Sequence, residues 1–291
     1  MIRIKNTLGI DIGGSSIKAG FLPGPRRRCL HFKARPTPKT TQAAWELLID
    51  IIIDYCARYR VQTIGVGCPG PLDIKRGLII NPPNLPFKNF PFKQFLEQET
   101  LLPITIDNDA NVFTLAEAIL GAGKKYQNVI GLTLGTGVGG GIVINKKIYH
   151  GRGNAGELGY LLQNQSGPRG QLGENGALQE FIRAGVLIKN KKITVAALAR
   201  EHNPRANKIW QEFGSHLGYA LASISHIFDP DVIILGGQIA KAWPRFYSSL
   251  QKSLNKNCIL PKTPIIKRAA LGDSAGVIGA ALLANLPYAN S

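Results

Sequence analysis

Nowhere in this chain does an apolar run approach the roughly 20 residues that a membrane-spanning helix needs, and Asp11 interrupts the first apolar segment almost at once. Without a hydrophobic region followed by a small-residue cleavage site, no secretory leader is expected. Cysteine is equally scarce. Cys29, Cys56, Cys68 and Cys258 are scattered, with neither the paired spacing of a zinc knuckle nor the density of a disulfide scaffold. The expectation is a cytoplasmic protein with reduced, mostly buried thiols and no disulfide. Acidic residues are the third shortage, 18 Asp and Glu against 35 Lys and Arg, for a net charge of +17. The basic residues fall in short groups (Arg26 to Arg28, Lys124 with Lys125, Lys146 with Lys147, Lys189 to Lys192) that are not interleaved with aromatics, and no helix-turn-helix segment precedes Leu8. Nucleic acid is therefore not the expected partner; a solvated basic surface, or attraction of an anionic substrate such as a nucleotide or polyphosphate, is.

What is present is a packed globular chain of 291 residues, 44% apolar and 18% charged, long enough for two lobes of ordinary domain size. The most chemically loaded stretch is Ile106 to Asn111, in which Asp107, Asn108, Asp109 and Asn111 stand just before the helical pattern Val112 to Leu120. Strand alternation predicts Asp107 and Asp109 on one side, beside the positive end of the following helix. Any one of the four polar residues could simply cap that helix. Four exceed what one cap requires, so a carboxylate held against a hydroxyl is the competing reading.

Glycine-rich turns lie before and after this stretch. Leu8 to Ile12 reads as a strand that passes Asp11, turns through Gly13, Gly14, Ser15 and Ser16, and returns as Ile17 to Phe21. The glycines would admit a phosphate, Ser15 would offer a hydroxyl and Lys18 a positive charge; a plain hairpin turn is the alternative. Ile130 to Leu134 runs likewise into Gly135 to Gly141, with Gly135, Gly137 and Gly140 in a G-x-G-x-x-G spacing. A dinucleotide fingerprint must open a helix, whereas Ile142 to Ile144 continues as a strand, so this loop is predicted to close a second hairpin. Displaced by 122 residues, from Leu8 to Ile130, the two hairpins superimpose in sequence and read as an internal repeat. Further along, Cys68-Pro69-Gly70-Pro71 and Asn81 to Pro86 read as fixed loops at strand ends, the second presenting Asn84. Helices are predicted from Thr41 to about Tyr59, with Cys56 in its core, from about Arg205 to Phe228, and from Ser274 to Leu283.

Taken in order, the first hairpin, the Pro-Gly-Pro loop, Asn81 to Pro86, Asp107 to Asn111, Gly135 to Gly141, Gly153 to Gly159, Leu235-Gly236-Gly237 and Leu271 to Gly276 resemble the motif set of the ROK family of sugar kinases and repressors, especially its bacterial glucokinase-like members. The resemblance implies an actin-like ATPase (ribonuclease H-like) α/β fold: a small lobe of residues 1–108 with 272–291, a large lobe of 109–271, and a ligand cleft between them. It implies Asp109 as general base, sugar contacts from Asn84, Asn108 and Glu157, phosphate contacts from Asp11, Gly13, Gly14, Thr136 and Gly137, and adenosine-side contact at Gly236 and Gly237. ATP, Mg²⁺, a hexose or N-acetylhexosamine acceptor and a homodimer are implied with it.

The sequence departs from the family at its zinc motif, where the four ligand positions carry Tyr160, Gly170, Leu172 and Ala177. Such side chains cannot hold a tetrahedral zinc, so no structural metal is expected. Tyr160 and Gln179 then stand where the family places a sugar-side His and Glu, with Glu180 as a substitute if the register slips by one. Two other outcomes stay open: inorganic polyphosphate as the donor, drawn by lysines around the Gly135 loop, or a sugar sensor that does not turn over. Only seven residues precede Leu8, which disfavours direct control of DNA.

Overall fold

In the computed structural model, residues 5–24, 28–170, 173–188 and 193–286 are described. Arg26, Arg27, Leu172 and the basic group 189–192 lie outside them. The first half of the chain builds β1 (Thr7–Ile12), β2 (Ser16–Leu22), β3 (Leu30–Pro36), α1 (Thr41–Arg58), β4 (Thr63–Cys68), the small hairpin β5 (Leu72–Asp73) and β6 (Leu78–Ile79), α2 (Phe92–Thr100), β7 (Ile104–Asn108) and α3 (Asp109–Ile119). The second half builds β8 (Val129–Leu134), β9 (Val138–Ile144), β10 (Lys147–Ile148), the short helices α4 (Gln179–Ile182), α5 (Ala184–Leu187) and α6 (Val195–Arg200), then α7 (Pro204–Phe228), β11 (Val232–Gly236), α8 (Trp243–Asn257), β12 (Ile265–Arg268) and α9 (Ala275–Leu283).

These strands form two five-stranded sheets of one design. The first has the order β3-β2-β1-β4-β7 and the second β10-β9-β8-β11-β12. In each, an antiparallel hairpin is followed by two parallel strands. The central parallel strands β4 and β11 are buried along their whole length, as strands covered on both faces must be. Leu8, Ile10, Val66, Tyr55 and Phe92 belong to the first core; Leu132, Leu235, Trp210, Phe213 and Phe246 belong to the second. Each such large side chain taken from water contributes about 1.5–3 kcal/mol before entropy is counted.

Two helices exchange places between the sheets. Helix α3 leaves the last strand of the first sheet and lies on the second, whereas α9 leaves the last strand of the second and lies on the first. Glycine pairs make room for both. A Cβ on Gly9 or Gly65 would overlap the α9 carbonyls of Val277 or Ala280, and one on Gly131 or Gly141 would overlap the Thr114 hydroxyl of α3. Gly9 pairs with Gly20 across the first hairpin and Gly131 with Gly141 across the second, so the internal repeat extends to the seats of the crossing helices. The third core, including Val112, Leu115, Ile234, Ile278 and Leu282, fills the space between them.

Two expectations need correction. Cys56 is exposed: the buried residues of α1 are Ala44, Leu48, Ile52 and Tyr55, and position 56 lies past the edge of that stripe. Among the four free thiols only Cys68 is fully buried. Asp107 and Asp109 do not share a strand face, because β7 ends at Asn108 and α3 begins at Asp109. No helix among the described residues is long and apolar enough to cross a membrane.

Candidate active site

Register brings the polar groups to one edge. Asp11 of β1 pairs with Gly67 of β4, which pairs in turn with Asp107 of β7. These are the carboxyl ends of three parallel strands, where α/β sheets bind ligands. The chain then turns into α3, with Asn108 as its N-cap. Asn108 Oδ1 accepts from the backbone N–H of Ala110 (2.8 Å) and Asn111 (3.3 Å), so the capping alternative holds for this residue. Its other end remains available, with Nδ2 and the Glu157 carboxylate both facing Gly70.

Asp109 is the first residue of α3, and its Oδ1 accepts from the Ala110 N–H at 2.8 Å. Burial pushes its carboxyl up to about 7, and the negative charge of Asp11 adds to the rise. Burial likewise raises Asp11, opposed by Lys18, whose ammonium lies 3.4 Å from Asp11 Oδ2. Glu157 is raised by burial, and the thiol of Cys68 is raised by burial with Asp109 and Asp11 beside it. Three carboxyl groups thus share a region of restricted solvent, and Asp109 is poised near neutrality. Such tuning suits a general base.

Asp107 is occupied differently. It is buried, its Oδ1 accepts from Asn108 N–H (2.7 Å) and Asn111 Nδ2 (2.9 Å), and its Oδ2 lies 2.6 Å from His150 Nε2. The hydrogen bond to Asp107 raises the His150 imidazole against the opposing effect of its burial. Neither His150 nor a role for Asn111 was legible in the sequence. His150 stands 43 residues from its partner, outside any motif.

The two glycine turns face the same edge. In the first, Gly13 N–H donates to the Ser16 carbonyl at 2.9 Å, and Thr37 Oγ1 donates to the Gly13 carbonyl at 2.5 Å, leaving Ser15 exposed at the tip. Asn84 packs against Gly14, at a Cβ distance of 2.7 Å from where a side chain would start, so its loop closes over this turn. The Thr41 hydroxyl holds that loop through the Pro86 carbonyl. In the second turn Thr136 is exposed and Gly135 has open space where a Cβ would stand. Gln179 opens α4 and approaches Gly137, its Oε1 3.5 Å from where a Cβ would stand. Gly237 stands against the Leu134 carbonyl with φ +85°, a conformation and a clearance that favour glycine. The loop after β11 is thereby fixed beside the second turn. Open glycine turns on both sides of Asp11, Lys18 and Asp109 fit a nucleotide's phosphates, and a carboxylate at their edge fits a hard cation carried with them.

The other expected sugar-side residues are spread. Glu157, Asn108, Asn111 and Gly70 line one recess, whereas Tyr160 is exposed and Gln179 lies at the phosphate turn. Glu180 is buried and bridged to Arg183 at 3.0 Å, so it does not replace Gln179. Where the family carries zinc, backbone hydrogen bonds clip the loop: Leu178 N–H to Leu161, Gln163 N–H to Gly176 and Gly176 N–H to Pro168, each 2.8 Å. Ala177 is wholly buried there. Among the described residues no group of three or more His, Cys, Asp and Glu could hold a metal ion.

The lysines expected around the Gly135 loop are at the wrong end of the hairpin. Lys146 N–H bonds the Gln127 carbonyl, beyond the open end of β8 and β9, and roughly 20 Å of strand separates it from the turn. Its ammonium is committed to the carbonyls of Ala118 (2.7 Å), Gly123 (3.1 Å) and Lys124 (3.1 Å), closing the end of α3.

The family model described as "ROK family" matches residues 7–286. A glucokinase of Streptomyces coelicolor is 30% identical over 97% of this chain and 98% of its own length. An N-acetyl-D-glucosamine kinase of Vibrio cholerae is 31% identical, covering 94% of this chain and 98% of its own. Among solved structures, a ROK family glucokinase from Streptomyces griseus in complex with glucose and AMPPNP superposes with a TM-score of 0.85 at 28% identity, covering 96% of this chain and 99% of that one. The two-lobed architecture is the actin-like ATPase fold.

Proposed function

The chain belongs to the ROK family, and from that premise we propose that it transfers the terminal phosphoryl group of ATP to a hydroxyl of a hexose, glucose or a close relative, with Asp109 as general base. The observation that carries the reading is the placement of Asp109: first residue of a helix, at the edge between two open glycine turns, with its carboxyl raised to about 7 by burial and the Asp11 charge. A carboxylate of that basicity can take a proton from a hydroxyl as it attacks, and then keep it. Asp107 is a poor alternative, since its two oxygens are engaged by His150, Asn111 and the Asn108 N–H.

In this reading Asn108 and Glu157 orient the sugar, with Asn84 closing from the opposite side and Tyr160 and Gln179 at its periphery. The N–H groups and hydroxyls around Gly13, Gly14, Ser15, Thr136 and Gly137, with Lys18, would hold the phosphates, and Gly236 and Gly237 would lie on the adenosine side. Mg²⁺, when bound with the phosphates near Asp11, supplies positive charge for the phosphoryl oxygens. Positioning and electrostatic stabilisation carry most of this chemistry. The lobes would divide at 108/109 and 271/272, each just ahead of one of the two crossing helices. ATP is favoured over polyphosphate because Lys124, Lys125, Lys146 and Lys147 do not border the phosphate turn. A coupled assay with a panel of hexoses and N-acetylhexosamines tests the proposal: ADP should be released only with the sugar that is phosphorylated, and saturable sugar binding without ADP would instead identify a sensor.

A further inference from the structure

One buried polar atom at the site has no partner. Asn111 is 2% exposed, and its Oδ1 accepts no hydrogen bond. It lines a narrow, partly open recess of about 10 Å³ shared with Asn108, Gly140, Gly156 and Glu157, which has room for at least one hydroxyl or water oxygen. A buried carbonyl oxygen left without a donor costs stability, so the recess calls for an O–H or N–H.

The orientation of this amide follows from its neighbours. Asp107 as a carboxylate only accepts, so the Asn111 edge 2.9 Å from Asp107 Oδ1 must be the NH₂, and the oxygen is the edge turned away from Asp107, on a side chain that lines the recess. Asp107 is itself held by the Asn108 N–H at 2.7 Å and by His150 at 2.6 Å, whose Nε2 must carry the hydrogen. His150 follows β10 and sits at the start of the turn that carries Glu157, so the chain from His150 through Asp107 to Asn111 ties that turn to the first turn of α3.

We propose that Asn111 is a sugar-binding residue, its Oδ1 accepting a hydrogen bond from one non-reacting hydroxyl of the acceptor, and that His150 is a positioning residue that fixes the amide through Asp107. The inference rests on the kinase reading for its substrate class. It adds a restriction: the acceptor must present a hydrogen-bond donor, in a simple hexose a free hydroxyl, at that carbon.

The test compares the phosphorylated hexose with its mono-deoxy analogues, each retaining the reacting hydroxyl, in wild type and Asn111→Ala. One analogue should be roughly 10- to 100-fold poorer in kcat/KM with wild type, the usual effect of leaving a buried acceptor unpaired. Asn111→Ala should lose a similar factor with the parent sugar and hardly distinguish it from that analogue. Loss by the same factor for every sugar, with the deoxy ratios unchanged, would show a structural role only and overturn the proposal. Should wild type phosphorylate no hexose, the kinase reading fails on its own, and the same ratios measured as calorimetric affinities still decide the contact. If Asn111→Ala does not fold, His150 serves. His150→Ala should raise the sugar KM several-fold and weaken the deoxy discrimination with kcat and the ATP KM little changed, and His150→Gln, which retains a donor, should recover most of it. Equal losses in the two His150 variants, or a change in the ATP KM instead, would contradict the positioning role.

Discussion

The two hairpins that face each other across the site share a strand pattern and differ in what they carry. In the first, Asp11 pairs in register with Lys18; at the corresponding place in the second, Thr133 pairs with Gly139. The first turn closes on Ile12 and Ile17, leaving residues 13–16, and the second on Leu134 and Val138, leaving only 135–137. One copy of the repeat thus holds charge beside Asp109, while the other is stripped to glycine and hydroxyl where a backbone must come close to a ligand. A shared fold fixes where the two turns point. What differs is the side chains at the strand ends, a charged pair in the first hairpin and a hydroxyl with glycine in the second.

Changes on the charged side should be the most damaging to catalysis. Asp109→Asn is expected to lower kcat by at least about 100-fold, the lower bound for a general base, while nucleotide and sugar affinities measured by calorimetry stay close to wild type. Retention of more than about a hundredth of the rate would remove Asp109 from that role.

The glycine seats separate the lobes by stability rather than rate. In the first sheet, Gly65→Ala would drive a methyl group into the Ala280 backbone, and no side-chain truncation can relieve that; a loss of about 3 kcal/mol, the upper end of overpacking costs, is expected in denaturant unfolding. In the second sheet, Gly131→Ala meets chiefly the Thr114 side chain, so combining it with Thr114→Ala should recover a good part of the loss. Equal and unrescued losses at both seats would mean that the sheets receive their helices in the same way.

The pH profile reports directly on the carboxylates of the charged side. Because Asp109 accepts protons only when ionised, kcat/KM should fall as pH drops through about 7, the value to which burial and Asp11 raise it. Asp11→Asn removes a negative charge from its neighbourhood and should move this acid limb to lower pH, whatever it does to the maximal rate. A limb that stays in place would show that the two carboxylates do not interact. The smallest effect concerns the clipped loop of the second lobe. Metal analysis should find no stoichiometric zinc, and chelators should leave Tm unchanged, since backbone hydrogen bonds and buried Ala177 hold the segment.

Much of this arrangement is legible in the sequence because it is local. The helices Thr41–Arg58 and Pro204–Phe228 follow from periodicity and caps, and the hairpin at Gly135 follows from a strand resuming after the glycines. The places where sequence reasoning failed are non-local. Asp107 reads as a twin of Asp109 until the chain turns from strand to helix between them, and its partner His150 arrives from 43 residues away. Lys146 and Lys147 look adjacent to the glycine loop in sequence, but an intervening strand carries them to the far end of the sheet. Cys56 is the local exception: it stands one helical position past Tyr55, beyond the buried stripe of α1.

Deprotonation of a sugar hydroxyl by Asp109 during transfer from ATP is open to one decisive measurement, that of ADP and sugar phosphate together across a panel of hexoses. Wild type should form the two in equal amounts with at least one hexose, and Asp109→Asn should bind that sugar but form neither product above about a hundredth of the wild-type rate. Sugar binding by wild type without either product, or equal product formation by Asp109→Asn, would contradict it.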